Sequence, residues 1–214
     1  MMIADLFATA PSRIEIAEGA VLFKAWLRED ADEFLRLIEK ISAAAPFRHM
    51  QTPGGKSMSV AMTNCGELGW VSDRKGYRYA PLDPESGKPW PLMPERFQRE
   101  ATEAAERAGF SGFSPEACLI NRYALGAKMG LHQDRDEADF TFPIVSFSFG
   151  LPAVFLFGGA KRQDKTEKIL LEEGDVFVWG GAARLFFHGV APVKADFNQP
   201  SANYRFNLTF RHVR

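Results

Sequence analysis

The sequence predicts an α+β fold that is mostly β, a sandwich or jelly roll carrying two or three packing helices. Three observations lead there. The chain has 214 residues, 46% hydrophobic and 25% charged, which suits one domain with a full core. Phe supplies 19 residues, a bias toward sheet cores over helical bundles. After Phe110 the chain runs as short β-branched or aromatic segments cut by Gly, Pro or charged loops. Residues 30–45 form the first expected helix, with Phe34, Leu37, Ile38 and Ile41 at helical spacing and Pro46 as the stop. Residues 94–108 form the second, with Pro94 in the first turn, an alanine-rich face and Gly109 as the end signal. Strands are expected at 117–123, 144–149, 153–157, 175–179, 185–188 and 204–212. Residues 50–91 read as a long irregular stretch of the kind that carries binding loops.

Basic residues number 26 and acidic ones 27, a net charge of −1, so no global cationic field favours wrapping long duplex. Two cysteines, Cys65 and Cys118, are too few for a disulfide framework and fit a reducing cytoplasm. The N-terminal segment meets Asp5 with no basic start and does not read as a secretory signal. Residues 140–160 carry no charge, yet Pro143, Gly150-Leu151-Pro152 and Gly158-Gly159 divide them into a buried hairpin, so no membrane span is expected.

His132-Gln133-Asp134 sets an imidazole and a carboxylate two residues apart, on one face of extended backbone and able to reach one ion. Of four histidines, His188 is the best-placed third ligand, at the end of a strand-like run. Two histidines and one carboxylate make the facial triad of non-haem iron(II), with open positions for a co-substrate and dioxygen. In Arg205-Phe206-Asn207-Leu208-Thr209-Phe210-Arg211, strict alternation puts Phe206, Leu208 and Phe210 on one face and both arginines, Asn207 and Thr209 on the other. Asn121-Arg122-Tyr123 repeats the pattern, with Asn121 and Tyr123 co-facial. Guanidinium groups bind carboxylates through paired hydrogen bonds, and two arginines about 20 Å apart at most on one strand suit a small dicarboxylate beside a metal. That describes 2-oxoglutarate. The bland alternative for each feature is a core histidine or a solvated strand face.

These motifs resemble the AlkB family of iron(II)/2-oxoglutarate-dependent nucleic-acid dealkylation dioxygenases, over nearly the whole chain from Ala20. Thr52-Pro53-Gly54-Gly55, the run from Met58 to Gly66 and Leu68-Gly69-Trp70 resemble its bacterial members. The resemblance implies a double-stranded β-helix (jelly roll) in a single domain spanning 1–214, with a nucleotide-recognition lid at 50–91 and a catalytic core at 115–214. It implies that His132, Asp134 and His188 hold Fe(II). Arg205, Asn121 and Tyr123 would grip the distal carboxylate of 2-oxoglutarate, and Arg211 and Asn207 its chelating end. Trp70 and His132 would sandwich a flipped base, Tyr77 would meet its phosphate, and Met62, Thr52 and Asp136 would line the substrate side. Arg162 would contact backbone phosphate. The implied reaction is oxidative demethylation of 1-methyladenine or 3-methylcytosine in single-stranded or damaged duplex DNA, with RNA as a further substrate. It uses O2 and is carried out by a monomer. Leu125, Met129-Gly130 and Phe206 depart from the commoner residues of the family.

Two other readings stand beside this one. A 2-oxoglutarate oxygenase of small molecules or proteins would share the triad and the arginines. A non-catalytic metal- or sugar-binding jelly roll would need neither arginine. A phosphate-binding loop at Gly54-Gly55-Lys56-Ser57 fails because Met50 stands where its first glycine belongs.

Overall fold

The computed structural model describes residues 12–196 and 203–214. The N-terminal stretch read above as non-secretory lies almost wholly outside them. The major sheet has eight strands: β1 (Arg13–Ala17), β2 (Ala20–Phe23), β3 (Arg48–Gln51), β4 (Ser57–Gly66), β7 (Ala117–Ala124), β9 (Ile144–Gly150), β12 (Val176–Trp179) and β14 (Tyr204–Arg211). Their spatial order is β1-β2-β12-β9-β14-β7-β4-β3. The minor sheet has β8 (Met129–His132), β10 (Ala153–Phe157), β11 (Glu167–Leu171) and β13 (His188–Val190), in the order β11-β10-β13-β8. A separate hairpin pairs β5 (Gly69–Asp73) with β6 (Gly76–Ala80).

Alternation along the strands builds two cores on the two faces of the major sheet. On the outer face Val145, Phe147, Phe149, Leu208 and Phe210 meet the apolar stripes of α1 (Ala31–Ala44) and α2 (Glu95–Arg107). Phe34 is the hub, stacked on Phe149 at 5.0 Å and on Phe97 at 5.2 Å. Replacing it with Ala is expected to cost about 3–5 kcal/mol. On the inner face Leu119, Tyr123, Phe177 and Trp179 meet Phe155, Phe157 and Val190 of the minor sheet. This sheet-on-sheet core is the jelly roll, and it opens toward β8 and β13 as the cleft described below. Gly150, with a φ of 70° and no room for a side chain beside the Tyr204 carbonyl, makes the tight β9–β10 link.

The structure corrects several sequence expectations. Residues 185–188 are not a strand: Arg184 and Leu185 form a turn after the 3-10 helix Gly181–Ala183, and β13 begins at His188. Gln133 takes the Leu185 carbonyl, and Phe186 donates to Ala183, so neither backbone is free for a ladder. Pro94 caps α2 from outside rather than sitting in its first turn. Residues 50–91 are not largely irregular, since they contain all of β4, β5 and β6. Their polar, Gly-rich composition hid strands that find partners only in the folded sheet.

Candidate active site

A cleft of about 740 Å³ opens between the two sheets and is walled on one side by the β5–β6 hairpin. His132, Asp134 and His188 converge in it. Their ligand atoms all lie within 4.8 Å of one another. Asp134 Oδ1 stands 3.7 Å from His132 Nε2 and 3.9 Å from His188 Nε2. His132 and His188 are direct partners across β8 and β13. The close approach depends on Gly189, because a Cβ there would stand 2.8 Å from the Met129 carbonyl oxygen.

Each imidazole is oriented from behind. His132 Nδ1 meets the Gly130 carbonyl at 2.9 Å, and His188 Nδ1 meets that of Phe186 at 3.0 Å. A carbonyl can only accept, so both Nδ1 atoms carry the hydrogen and both Nε2 lone pairs face the cleft. Burial, aided by the neighbouring His132, pushes His188 down to about 4 and keeps it neutral. Burial disfavours the Asp134 carboxylate, but the adjacent Arg211 guanidinium outweighs that and holds its carboxyl well below the usual range. Two imidazole Nε2 atoms and one carboxylate oxygen on one side of a cavity fit a divalent iron with its remaining positions open.

The inner face of β14 and its neighbours forms the floor. Arg205 is fully buried opposite Tyr123, and its Nη2 donates to Ser148 Oγ at 3.1 Å. Its Nε and Nη1 have no partner. Burial without a matching carboxylate lowers this guanidinium to about 10. Tyr123 Oη meets only Met129 Sδ, at 3.9 Å, and burial raises its phenol, so it stays an O–H donor. Unused buried donors fit the carboxylate of a bound diacid. Asn207 is saturated: Nδ2 donates to Ser146 Oγ and the Phe147 carbonyl, while Oδ1 accepts from Asn121 and Thr209. Asn121 Oδ1, Trp179 Nε1 and Arg211 Nη1 are unpartnered buried atoms of residues that line the cleft, whereas Arg205 does not itself line it.

On the opposite wall Trp70 and Tyr77 stack at 5.6 Å and 13°. Trp70 Nε1 donates to Asp136 Oδ2 at 2.7 Å. Thr52, Met62 and Asp136 also line the cleft. Arg162 does not line it. Its Nη1 donates to the Leu131 carbonyl at 2.8 Å, which leaves it beside the rim.

The sequence reading missed Tyr79, Glu137 and Arg184. Glu137 is buried, accepts from Tyr79 Oη at 2.5 Å, and lies 3.0 Å from Arg184 and 3.4 Å from Arg211. The acidic run Asp134 to Glu137 was the available signal, and it resembles any solvated loop.

Three comparisons bear on this site. The family described as the 2OG-Fe(II) oxygenase superfamily matches residues 19–211. The chain is 54% identical over 210 residues to the alpha-ketoglutarate-dependent dioxygenase AlkB of Escherichia coli, covering 98% of this chain and 97% of that protein. It is 53% identical to the AlkB of Salmonella typhimurium over the same shares. Among solved structures, that of OsALKBH1 superposes with a TM-score of 0.80 at 30% identity, covering 94% of this chain and all of that one. The chain therefore belongs to the AlkB family of the 2OG-Fe(II) oxygenase superfamily.

Proposed function

We propose that the protein repairs alkylated DNA by oxidative demethylation of 1-methyladenine- and 3-methylcytosine-type bases. As a family member it is a dioxygenase using iron(II), 2-oxoglutarate and O2. The observation that carries the substrate reading is one cleft joining the triad to the stacked Trp70–Tyr77 wall. A small-molecule site has no use for a paired aromatic wall beside an open mouth, whereas a base taken out of its stack does.

His132, His188 and Asp134 Oδ1 would hold the iron. Arg205 and Tyr123 would take the distal carboxylate through their unused donors. Asn207 would hold Asn121 in place, and Arg211 Nη1 would reach the end near the metal. Bound iron with its co-substrate supplies the oxidising power, consuming 2-oxoglutarate and O2 and releasing succinate and CO2. Hydroxylation of the N-methyl carbon gives a hemiaminal that loses formaldehyde and restores the base. Trp70 would stack on the extruded base against His132, with Asp136, Met62 and Thr52 lining the substrate side. Tyr77 and Arg162 would face phosphate. Residues 50–91 serve in this reading as the recognition lid and 115–214 as the catalytic core.

Single strands are the favoured substrate because no partner base need be broken away. The enzyme is read as a cytoplasmic monomer. In support, Cys65 and Cys118 are free thiols, and no helix among the described residues is long and apolar enough to cross a membrane. The test is incubation with iron(II), 2-oxoglutarate and 1-methyladenine oligonucleotides, as single-stranded DNA, duplex DNA and RNA, with mass spectrometry of the products. Methyl loss with formaldehyde release is expected, fastest on single-stranded DNA. Co-substrate consumption with every methyl group retained would overturn the proposal.

A further inference from the structure

We infer that Arg184, which does not touch the cleft, is a positioning residue that sets the affinity of the site for its metal. The inference rests on the triad being the iron site. Asp134 lies at the start of a segment, residues 133–143, that has no helix or strand. Such a stretch cannot fix a ligand carboxylate by its own ladder, so something else must.

Arg184 sits at the end of the 3-10 helix, is 3% exposed, and spends all three of its nitrogens on that segment. Nη1 donates to the Asp134 carbonyl at 2.9 Å, Nη2 to Glu137 Oε2 at 3.0 Å and Nε to the Phe142 carbonyl at 3.0 Å. The Phe140 ring covers the guanidinium at 5.1 Å. One planar, rigid fork thus pins the loop at its beginning, middle and end. Through Glu137 the same fork backs Arg211, whose hold on Asp134 Oδ2 leaves Oδ1 turned to the histidines. Lysine cannot reproduce three divergent donors in a plane.

The experiment titrates the metal-free protein with Co(II), following the visible ligand-field spectrum, for wild type, R184K, R184M and D134A. Thermal unfolding is recorded for each. Outer residues of this kind typically change metal affinity by about 10- to 100-fold. R184K and R184M are expected to weaken Co(II) binding by that factor, with a spectrum shifted from wild type. In turnover, R184K should need correspondingly more iron(II) yet recover most of its kcat at saturating iron, a split that a general loss of structure does not produce. Wild-type Co(II) affinity in a folded R184M overturns the inference. So does failure of both Arg184 variants to fold, which would assign the guanidinium to the fold instead. D134A is the separate control: if it binds Co(II) as well as wild type, the triad assignment itself fails.

Discussion

Arg211 donates twice to a single oxygen of Asp134, from Nη2 at 2.8 Å and Nε at 3.1 Å. The other oxygen, Oδ1, is the one that faces both histidines. The guanidinium therefore decides which carboxylate oxygen is left for the metal, as well as neutralising charge in a buried place. Lysine would keep the charge but lose the paired geometry. R211K is expected to raise the KM for 2-oxoglutarate and the iron(II) requirement each by roughly tenfold, about one charge-assisted hydrogen bond. Steady-state titration of each in turn checks this, and unchanged values for both would remove Arg211 from the site.

Arg205 behaves differently because it has no carboxylate partner of its own. Two of its buried nitrogens are unpartnered, and burial lowers its pKa to about 10. An unmatched buried charge destabilises the empty protein. R205M is therefore expected to melt at or above the wild-type temperature without co-substrate. It should also lose the stabilisation that 2-oxoglutarate gives the wild type, with binding weaker by about 100-fold. Calorimetric melting with and without 2-oxoglutarate separates the two effects. A less stable R205M that still responds to 2-oxoglutarate contradicts both halves.

How far the sequence could be read follows from where each partner lies along the chain. The strand from Arg205 to Arg211 declares both its faces by alternation alone, and the structure puts Phe206, Leu208 and Phe210 toward the helices and Asn207 and Arg211 in the cleft. His132 and Asp134 are neighbours in sequence, so their pairing was visible. Arg184 was not, because its partners at 134, 137 and 142 lie more than 40 residues away and nothing about an arginine after Gly-Ala-Ala announces them. Tyr79 is equally silent: a tyrosine in a short polar strand finds Glu137 only when the hairpin meets the jelly roll. The stretch misread as strand at 185–188 was apolar enough to ladder, but the Phe186 amide is turned to Ala183 and the Leu185 carbonyl takes the Gln133 side chain.

Acid should destabilise the metal-free protein before it unfolds carboxylate pairs. His188 is pushed down to about 4 by burial, against about 6.5 in an unfolded chain. A depressed folded pKa means that the unfolded state takes up a proton the native state refuses. The associated stability is present in full above about pH 6.5, declines below it, and is gone below about pH 4, amounting to about 3 kcal/mol at most. Asp134, held low by Arg211, loses its share in the same direction at still lower pH. Denaturant unfolding across pH 4–7 should show this slope, and H188L should flatten it. A slope that persists undiminished in H188L would locate the titration elsewhere.

Trp70 separates recognition from oxidation, because its side-chain and backbone hydrogen bonds go to Asp136 and to Asn64 of β4 but to none of the triad or floor residues. W70A removes the stack on Tyr77 and the bond to Asp136 together, whereas W70F removes only the bond. Stacking on a base is worth about 1–3 kcal/mol. W70A should therefore raise the KM for a methylated oligonucleotide by roughly 5- to 150-fold, and W70F by much less. Consumption of 2-oxoglutarate without nucleic acid should stay near wild type in both, since the iron and carboxylate contacts are untouched. Parallel assays of formaldehyde release and succinate formation test the separation. If W70A lowers the two equally, Trp70 supports the catalytic floor rather than the base, and the aromatic wall loses its claim as the feature that selects nucleic acid.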